Sequence, residues 1–526
     1  MLRKTLIAVT AVLALSVTAA GCTSANITQP SYDEAKTLHV LAGSEVKDMQ
    51  PILQKMESEI GIHLEFTYEG TLEGTQEVAS GNAGSQYDAT WFPSNRYLAL
   101  LEGGSEKVQT ETKIMSSPVV LGVKSDVAER LGWNSTTPTW GDIVGAVTAG
   151  ELTYGMTSPV SSNSGFSALI EATTALSGTG DALTVDTVDS VSGDLKALFG
   201  GQTLTSGSSG WLADTFSSSP EKADGIFNYE SVLKSVQVDG KPLTIIAPSD
   251  GIITADYPLT LLTGVDAEKK ELYDTAVDYL TKDDIQAEIS TATNRNTAVS
   301  PGSTTAFELP FPNKLDAVQS LISTYLGEIK KPSNMVFTID TSGSMGGDRI
   351  SDLQGALKTM TSTGKESSFV SFQNRETVQY VDFASGVKNV EEFSFTESNR
   401  DAELKDATRY IDSLQADGGT AMYDALKKSY EEALKSKKAN PDNFVSVVLF
   451  TDGETNEGWN YTQFTEWFSK QSESNPELAS IPAFVVQFGE ANSGELEGVA
   501  ELTKGKTFNA NDTGLVAAFK EIRGYQ

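Results

Sequence analysis

The chain has 526 residues, with 39 Lys and Arg against 71 Asp and Glu, a formal net charge of −32, one cysteine and two histidines. One cysteine excludes an intrachain disulfide framework and any multi-cysteine zinc or iron–sulfur centre, and two histidines leave little room for histidine-based catalysis. The acidity excludes a broad phosphate-binding surface, so no nucleic-acid partner is expected; the 39% of hydrophobic residues suffices for the cores of about three to four lobes.

In chain order, residues 1–21 read as a secretory leader: Arg3 and Lys4 form a positive n-region, and Thr5 to Ala20 is an apolar stretch too short to span a bilayer comfortably. The run Ala19-Ala20-Gly21-Cys22 resembles a bacterial lipobox, with Ala19 where Leu is commoner. That resemblance implies a lipidated Cys22 as mature N-terminus and a protein held on the outer face of the cell membrane. Residues 22–35, rich in Ser, Asn, Thr and Gln, then read as a flexible tether.

From residue 36 to 330 short apolar strands alternate with amphipathic helices. Strands are predicted at Thr37–Ala42, His63–Tyr68 and Tyr87–Phe92, around a helix whose apolar residues Met49, Ile52, Leu53, Met56 and Ile60 recur at helical spacing. A further strand begins at Val119, residues 126–240 turn rich in Ser, Thr and Gly, strands return at Leu243–Ala247 and Tyr257–Leu262, and helical periodicity resumes over 268–291 and 314–329. Strand–helix alternation predicts an α/β fold with parallel sheets. The order resembles the two-lobe periplasmic solute-binding proteins, with a second lobe, about 126–240, inserted through a crossover. The resemblance implies a cleft lined by loops at strand ends and helix N-termini, where free backbone N–H groups favour an anion. Ser44, Ser117, Asn163, Ser164, Gly165 and Tyr257 are the cleft candidates, with Trp91 and Tyr229 as walls. Each of the Ser, Asn and Gly positions is equally a turn or capping residue.

Lys330-Lys-Pro-Ser-Asn334 breaks the pattern and reads as a domain boundary. Beyond it the buried strand Met335–Asp340 runs into Thr341-Ser342-Gly343-Ser344, an Asp-x-Ser-x-Ser turn. Gly418-Gly419-Thr420 precedes an amphipathic helix (Met422, Leu426, Tyr430, Leu434), and the apolar strand Phe444–Phe450 ends in Thr451-Asp452-Gly453-Glu454. Thr420 follows Asp340 by 80 residues and precedes Asp452 by 32. These three loops, with a late strand at Ala483–Phe488 and a closing helix at Leu515–Ile522, resemble the von Willebrand factor A (VWA) domain throughout 334–526. The resemblance implies a doubly wound, Rossmann-like sheet carrying a metal-ion-dependent adhesion site. In it Ser342, Ser344 and Thr420 coordinate one divalent cation directly, and Asp340 and Asp452 do so partly through water. Oxygen donors of this kind suit a hard ion, Mg²⁺ first and Mn²⁺ or Ca²⁺ after it. With few anionic ligands the ion keeps a replaceable position, which a partner carboxylate can fill. Asp348 and Glu454 are candidate modulators or, more simply, solvated acids.

Competing motifs fail. Read as an EF-hand, the Asp340 loop has Met345 at the glycine position and Ser351 at the bidentate acid. The run Gly498 to Thr507 has its glycines seven apart and follows a helix, unlike a phosphate-binding loop. His39 and His63 sit in separate strands and read as structural, and no nucleophile–base pair emerges. The expectation is a non-catalytic, membrane-anchored binding protein whose VWA domain takes a protein or peptide carboxylate through the metal. The alternative is a lipoprotein that captures a small-molecule solute in the two-lobe cleft for transport or sensing.

Overall fold

A computed structural model describes residues 33–302, 304, 306–362, 371–453, 455–487, 493–510 and 515–524. The leader, Cys22, most of the tether and Glu454 lie outside the described residues. Among the described residues no helix is long and apolar enough to cross a membrane.

The first sheet has the order His63–Tyr68, Thr37–Ala42, Ala89–Trp91, Pro258–Leu262, Val108–Lys113. The first three strands are parallel, and Pro258–Leu262 enters antiparallel between Ala89–Trp91 and Val108–Lys113. The chain leaves this sheet along Ser117–Val123, every residue of which is buried. It then builds a second sheet in the order Thr244–Ile246, Ser117–Val123, Gly225–Tyr229, Tyr154–Thr157, Gln202–Ser206. Thr254–Ala255 pairs with Ser117–Val123 on the way back. One excursion out and one return make two lobes. The second sheet thus begins before and ends after the Ser/Thr/Gly-rich stretch 126–240 that marked this lobe in the sequence, because both connecting strands belong to it.

Helix Asn163–Ser177 is buried along most of its length and lies across this second sheet. It can do so because residue 165 is glycine: a Cβ there would sit 2.1 Å from the Thr157 carbonyl oxygen. The predicted helix over 268–291 is two helices, Ala267–Leu280 and Asp283–Thr293, the second starting afresh with two aspartates against its N-terminal dipole.

The C-terminal sheet has six strands in the order Val387–Phe395, Glu376–Phe383, Ser333–Asp340, Phe444–Thr451, Ala483–Gln487, Lys506–Asn509. All are parallel except the edge strand Val387–Phe395. The central strand Ser333–Asp340 is buried throughout and alternates strictly. Met335, Phe337 and Ile339 join a core with Leu353, Leu357 and Phe519 on one face; Val336 joins Leu426, Tyr430 and Val447 on the other. Helices therefore cover both faces, and the loops that matter collect at the strand C-termini.

At the opposite end of the sheet, where the two regions join, Glu376 pairs with Lys330 (3.2 Å) and Arg523 (2.8 Å); the acid and the arginine are buried and the lysine nearly so. Lys331 Nζ donates to the Gln202 carbonyl of the second lobe (2.8 Å), and Trp211 packs against both cores.

Candidate metal centre

Asp340 ends the central strand with a fully buried carboxylate. Thr341 turns the chain by donating both its N–H and its hydroxyl to the Phe383 carbonyl, each at 2.8 Å. The turn brings the Ser342 N–H onto Asp340 Oδ1 at 2.9 Å. From the neighbouring strand end, Thr451 Oγ1 donates to Asp340 Oδ2 at 2.7 Å. Ser342 Oγ and Ser344 Oγ are 3.1 Å apart, and Ser344 Oγ donates to Asp452 Oδ1 at 2.9 Å. Four of the five predicted metal residues thus form one hydrogen-bonded cluster.

Thr420 arrives on a third loop fastened to the first. The Gly343 N–H donates to the Gly418 carbonyl (3.0 Å), and the Asp417 N–H to the Thr341 carbonyl (2.9 Å). Gly418 makes this approach with φ +75, and a Cβ there would lie 2.9 Å from Ser385 Oγ; both conditions demand glycine. Thr420 itself is 4% exposed. Its N–H donates to Asn456 Oδ1 (2.8 Å), and its carbonyl accepts from Thr455 Oγ1 (2.8 Å).

Burial pushes the Asp340 acid above its ordinary value and the nearby Asp452 charge adds to this, while the bonds from Ser342 and Thr451 oppose it. A carboxylate in that condition gains from a cation. Among the described residues no three His, Cys, Asp or Glu side chains gather as a metal cluster, so an ion here would rest on two carboxylates and several hydroxyls. That donor set fits a hard, oxygen-seeking dication that keeps waters. Asp348 is exposed at the start of helix Asp348–Met360. The sequence reading did not single out Thr451, Asn456 or the pairing of Arg349 with Asp452, whose guanidinium lies 2.5 Å from Oδ2.

Between the lobes the structure gathers some cleft candidates and disperses others. Asn163 Nδ2 donates to Tyr229 Oη (3.1 Å), and the Tyr229 and Tyr257 rings lie 5.9 Å apart. Ser164 Oγ and Ser209 Oγ are 2.9 Å apart, and Ser209 Oγ also donates to Glu45 Oε1 of the first lobe (3.3 Å). Arg295, 1% exposed, stacks 4.7 Å from the Tyr257 ring centroid, pairs with Asp48 (2.5 Å) and donates to the Glu45 carbonyl (2.9 Å). Ser44, partly buried, opens the short helical turn that carries Glu45. Ser117, Gly165 and Trp91 serve the frame instead. Ser117 Oγ accepts from the Ser231 N–H (3.1 Å), Gly165 is packed on Thr157, and Trp91 Nε1 donates to the Tyr257 carbonyl (3.1 Å). Glu45, Asp48, Ser209 and Arg295 were missed because isolated charged or hydroxyl residues carry no spacing signal. His39 faces Glu34 and Glu65, and His63 faces Glu57, all on the outside of the first lobe.

The family model of the von Willebrand factor type A domain matches residues 334–521. Inter-alpha-trypsin inhibitor heavy chain H2 of Mesocricetus auratus is 31% identical over 133 residues, 24% of this chain and 13% of that protein. A von Willebrand factor A domain-containing protein of Dictyostelium discoideum is 28% identical over 128 residues, with the same coverage of 24% and 13%. The chain thus spans about 13% of the length of these curated relatives. Among solved structures, the fructose-6-phosphate-bound periplasmic binding protein AfuA of Actinobacillus pleuropneumoniae aligns with 14% identity and a TM-score of 0.44 over 56% of this chain and 99% of that one. A ferric binding protein of Campylobacter jejuni aligns with 11% identity and a TM-score of 0.39, over 55% and 95%. By family match, strand order and loop geometry, residues 334–521 are a von Willebrand factor type A domain, preceded by a two-lobe α/β region.

Proposed function

We propose that the VWA domain is a non-catalytic recognition module that binds a protein or peptide carboxylate through one divalent cation, Mg²⁺ by preference. The observation that carries this reading is the hydrogen-bonded set Asp340, Ser342, Ser344 and Asp452 at the C-terminal edge of the parallel sheet. The loop that carries Thr420 is fastened to the first by the Gly343–Gly418 bond. Asp340, Ser342, Ser344, Thr420 and Asp452 would hold the ion, which supplies a Lewis-acidic point for a partner's carboxylate. The chain's own part is to bury and orient two carboxylates and to hold the hydroxyls toward them. Manganese titrated into the full chain should bind with one-to-one stoichiometry. Asp340→Ala and Asp452→Ala should abolish that binding while circular dichroism stays unchanged. Binding by either folded variant as tight as wild type sinks the reading. Lipidation at Cys22 would hold the module outside the cell membrane, and Cys22→Ser should then move the protein from the membrane to the soluble fraction.

A second reading is favoured by the polar cluster between the lobes. Among the described residues, Arg295 Nε and Tyr257 Oη are buried without a hydrogen-bond partner, next to Glu45, Asp48, Tyr229 and Ser209. In this reading the cleft captures a small polar solute. Ligand at ~100 times its Kd stabilises a fold by about 2.7 kcal/mol. Thermal-shift screening against small anions, sugars and amino acids tests it, and the absence of any stabilising compound counts against a working cleft.

A further inference from the structure

The two acids of the metal site are neutralised differently. Among the described residues Asp340 meets neutral donors only, from Ser342 and the Thr451 hydroxyl. Among the described residues it makes no ion pair. Asp452, its side chain fully buried, receives Ser344 Oγ on Oδ1 and the Arg349 guanidinium on Oδ2. Arg349 also donates to the Ser344 carbonyl at 3.3 Å, so one side chain spans the first and last of the three site loops. It stands on the first turn of helix Asp348–Met360, after the positive-φ Gly347, and its side chain is 45% exposed. A long side chain that is half in water can turn away at modest cost, whereas Asp452 cannot follow it.

We propose that Arg349 is the resident counter-cation of Asp452, competing with the divalent ion for that carboxylate and so setting how tightly the ion is held. This rests on the metal-site reading above and goes beyond it: the site carries its own cation, tethered and displaceable. A dication held by Asp452 would share that carboxylate with the guanidinium in its present place, at a separation on the order of 5 Å. Even at the dielectric constant of water, repulsion between +2 and +1 at that distance corresponds to more than about tenfold in binding. Ion binding therefore requires Arg349 to swing toward solvent or to share Asp452 at a loss of affinity.

The experiment titrates Mn²⁺ alone into the full chain, wild type against Arg349→Gln and Arg349→Lys, by calorimetry. Lys358→Gln serves as control, since it removes the same charge from the far end of the same helix, where Lys358 pairs with Asp412. Arg349→Gln should bind Mn²⁺ about tenfold tighter or more. Arg349→Lys and Lys358→Gln should stay within about threefold of wild type. Urea unfolding supplies the second readout. Arg349→Gln should be less stable than wild type in EDTA, where Asp452 has lost its partner, and should regain that stability in saturating Mn²⁺. Equal or weaker Mn²⁺ binding by Arg349→Gln overturns the competition while leaving the metal site standing. Equal loss of stability in EDTA and in Mn²⁺ likewise reduces Arg349 to a loop support. Binding by neither protein overturns the metal reading and this one with it.

Discussion

Replacing Thr451 by valine tests how Asp340 is prepared for a cation. Threonine and valine share a shape, so the substitution removes one hydroxyl and adds almost no strain. The main loss is the 2.7 Å bond to Asp340 Oδ2, on a buried carboxylate whose other hydrogen bonding among the described residues comes from Ser342, with two weaker 3.4 Å bonds to Gly453 lost beside it. A hydrogen bond to a charged acceptor is worth about 1.5–3 kcal/mol, and a buried acceptor left unmet costs at the upper end of that range. Removing the group that orients a metal-binding carboxylate typically weakens metal affinity about 10–100-fold. Thr451→Val should therefore lower unfolding free energy in EDTA by about 2 kcal/mol and weaken Mn²⁺ binding at least about tenfold. Calorimetric titration reads the second effect, and urea denaturation followed by tryptophan fluorescence reads the first. If Mn²⁺ affinity stays within about threefold while stability falls, Thr451 supports the strand end but does not orient Asp340 for an ion. If neither changes, the bond itself carries no weight.

Three further outcomes follow from the buried charges and close contacts. Glu376→Gln strands Arg523 and Lys330 without their acid and should cost about 3–5 kcal/mol of stability in urea. In the intact protein Arg523 first, then Lys330, overcome the burial of Glu376 and hold its acid at about 2 against an ordinary 4.5. That gap corresponds to about 3 kcal/mol of stabilisation that is present above pH ~4.5 and fades as pH falls toward ~2, and the Glu376→Gln stability curve should lack this limb. Burial lowers Lys330 to about 8, so the folded chain sheds this proton before the unfolded one does. Stability should gain between pH ~8 and ~10.5 from this group, a rise that Lys330→Met removes. Gly165→Ala would force a Cβ to within 2.1 Å of the Thr157 carbonyl oxygen; it should destabilise the two-lobe region by about 1–3 kcal/mol, visible as a lower melting midpoint for that region alone.

Much of the frame was legible because strand and helix periods differ. Thr37–Ala42 and His63–Tyr68 were readable to the residue, and the three metal loops declared themselves by residue type at strand ends. Legibility failed where local pattern and tertiary role part company. The apolar residues Met49 to Ile60 read as one helix, yet the α-helix starts only at Gln50 and Met49 ends a 3₁₀ segment, Ser44–Met49, that turns Glu45 toward the second lobe. The strands Ser117–Val123 and Thr244–Ile246 carry no mark of the sheet they join, so the second lobe proves wider than its composition suggested. Arg349 carries no spacing signal of its own in the sequence, and the spatial approach of the Asp452 loop gives it its acidic partner. Arg295 and Ser209 are single residues in unremarkable segments, 86 positions apart in the chain, that come together on Glu45.

The parallel sheet also decides how the two regions can influence one another. Ser333–Asp340 carries the metal-site acid at its C-terminal end, while its N-terminal end starts beside Lys330 and Glu376, where the lobes are joined. Eight residues of extended chain at about 3.3 Å each place roughly 25 Å between the two ends. At that distance two unit charges interact by less than about 1 kcal/mol even at an effective dielectric constant of ~20, so direct electrostatics links the metal edge to the junction only weakly. Any coupling must pass through packed elements that touch both ends. Helix Leu515–Gly524 joins the middle of the sheet to the junction: Phe519 packs on Phe337 and Phe450, and Arg523 closes the junction on Glu376. A message between the two ends therefore has to travel through the packing of the central strand and the helices laid on it, with Leu515–Gly524 reaching the junction through Arg523.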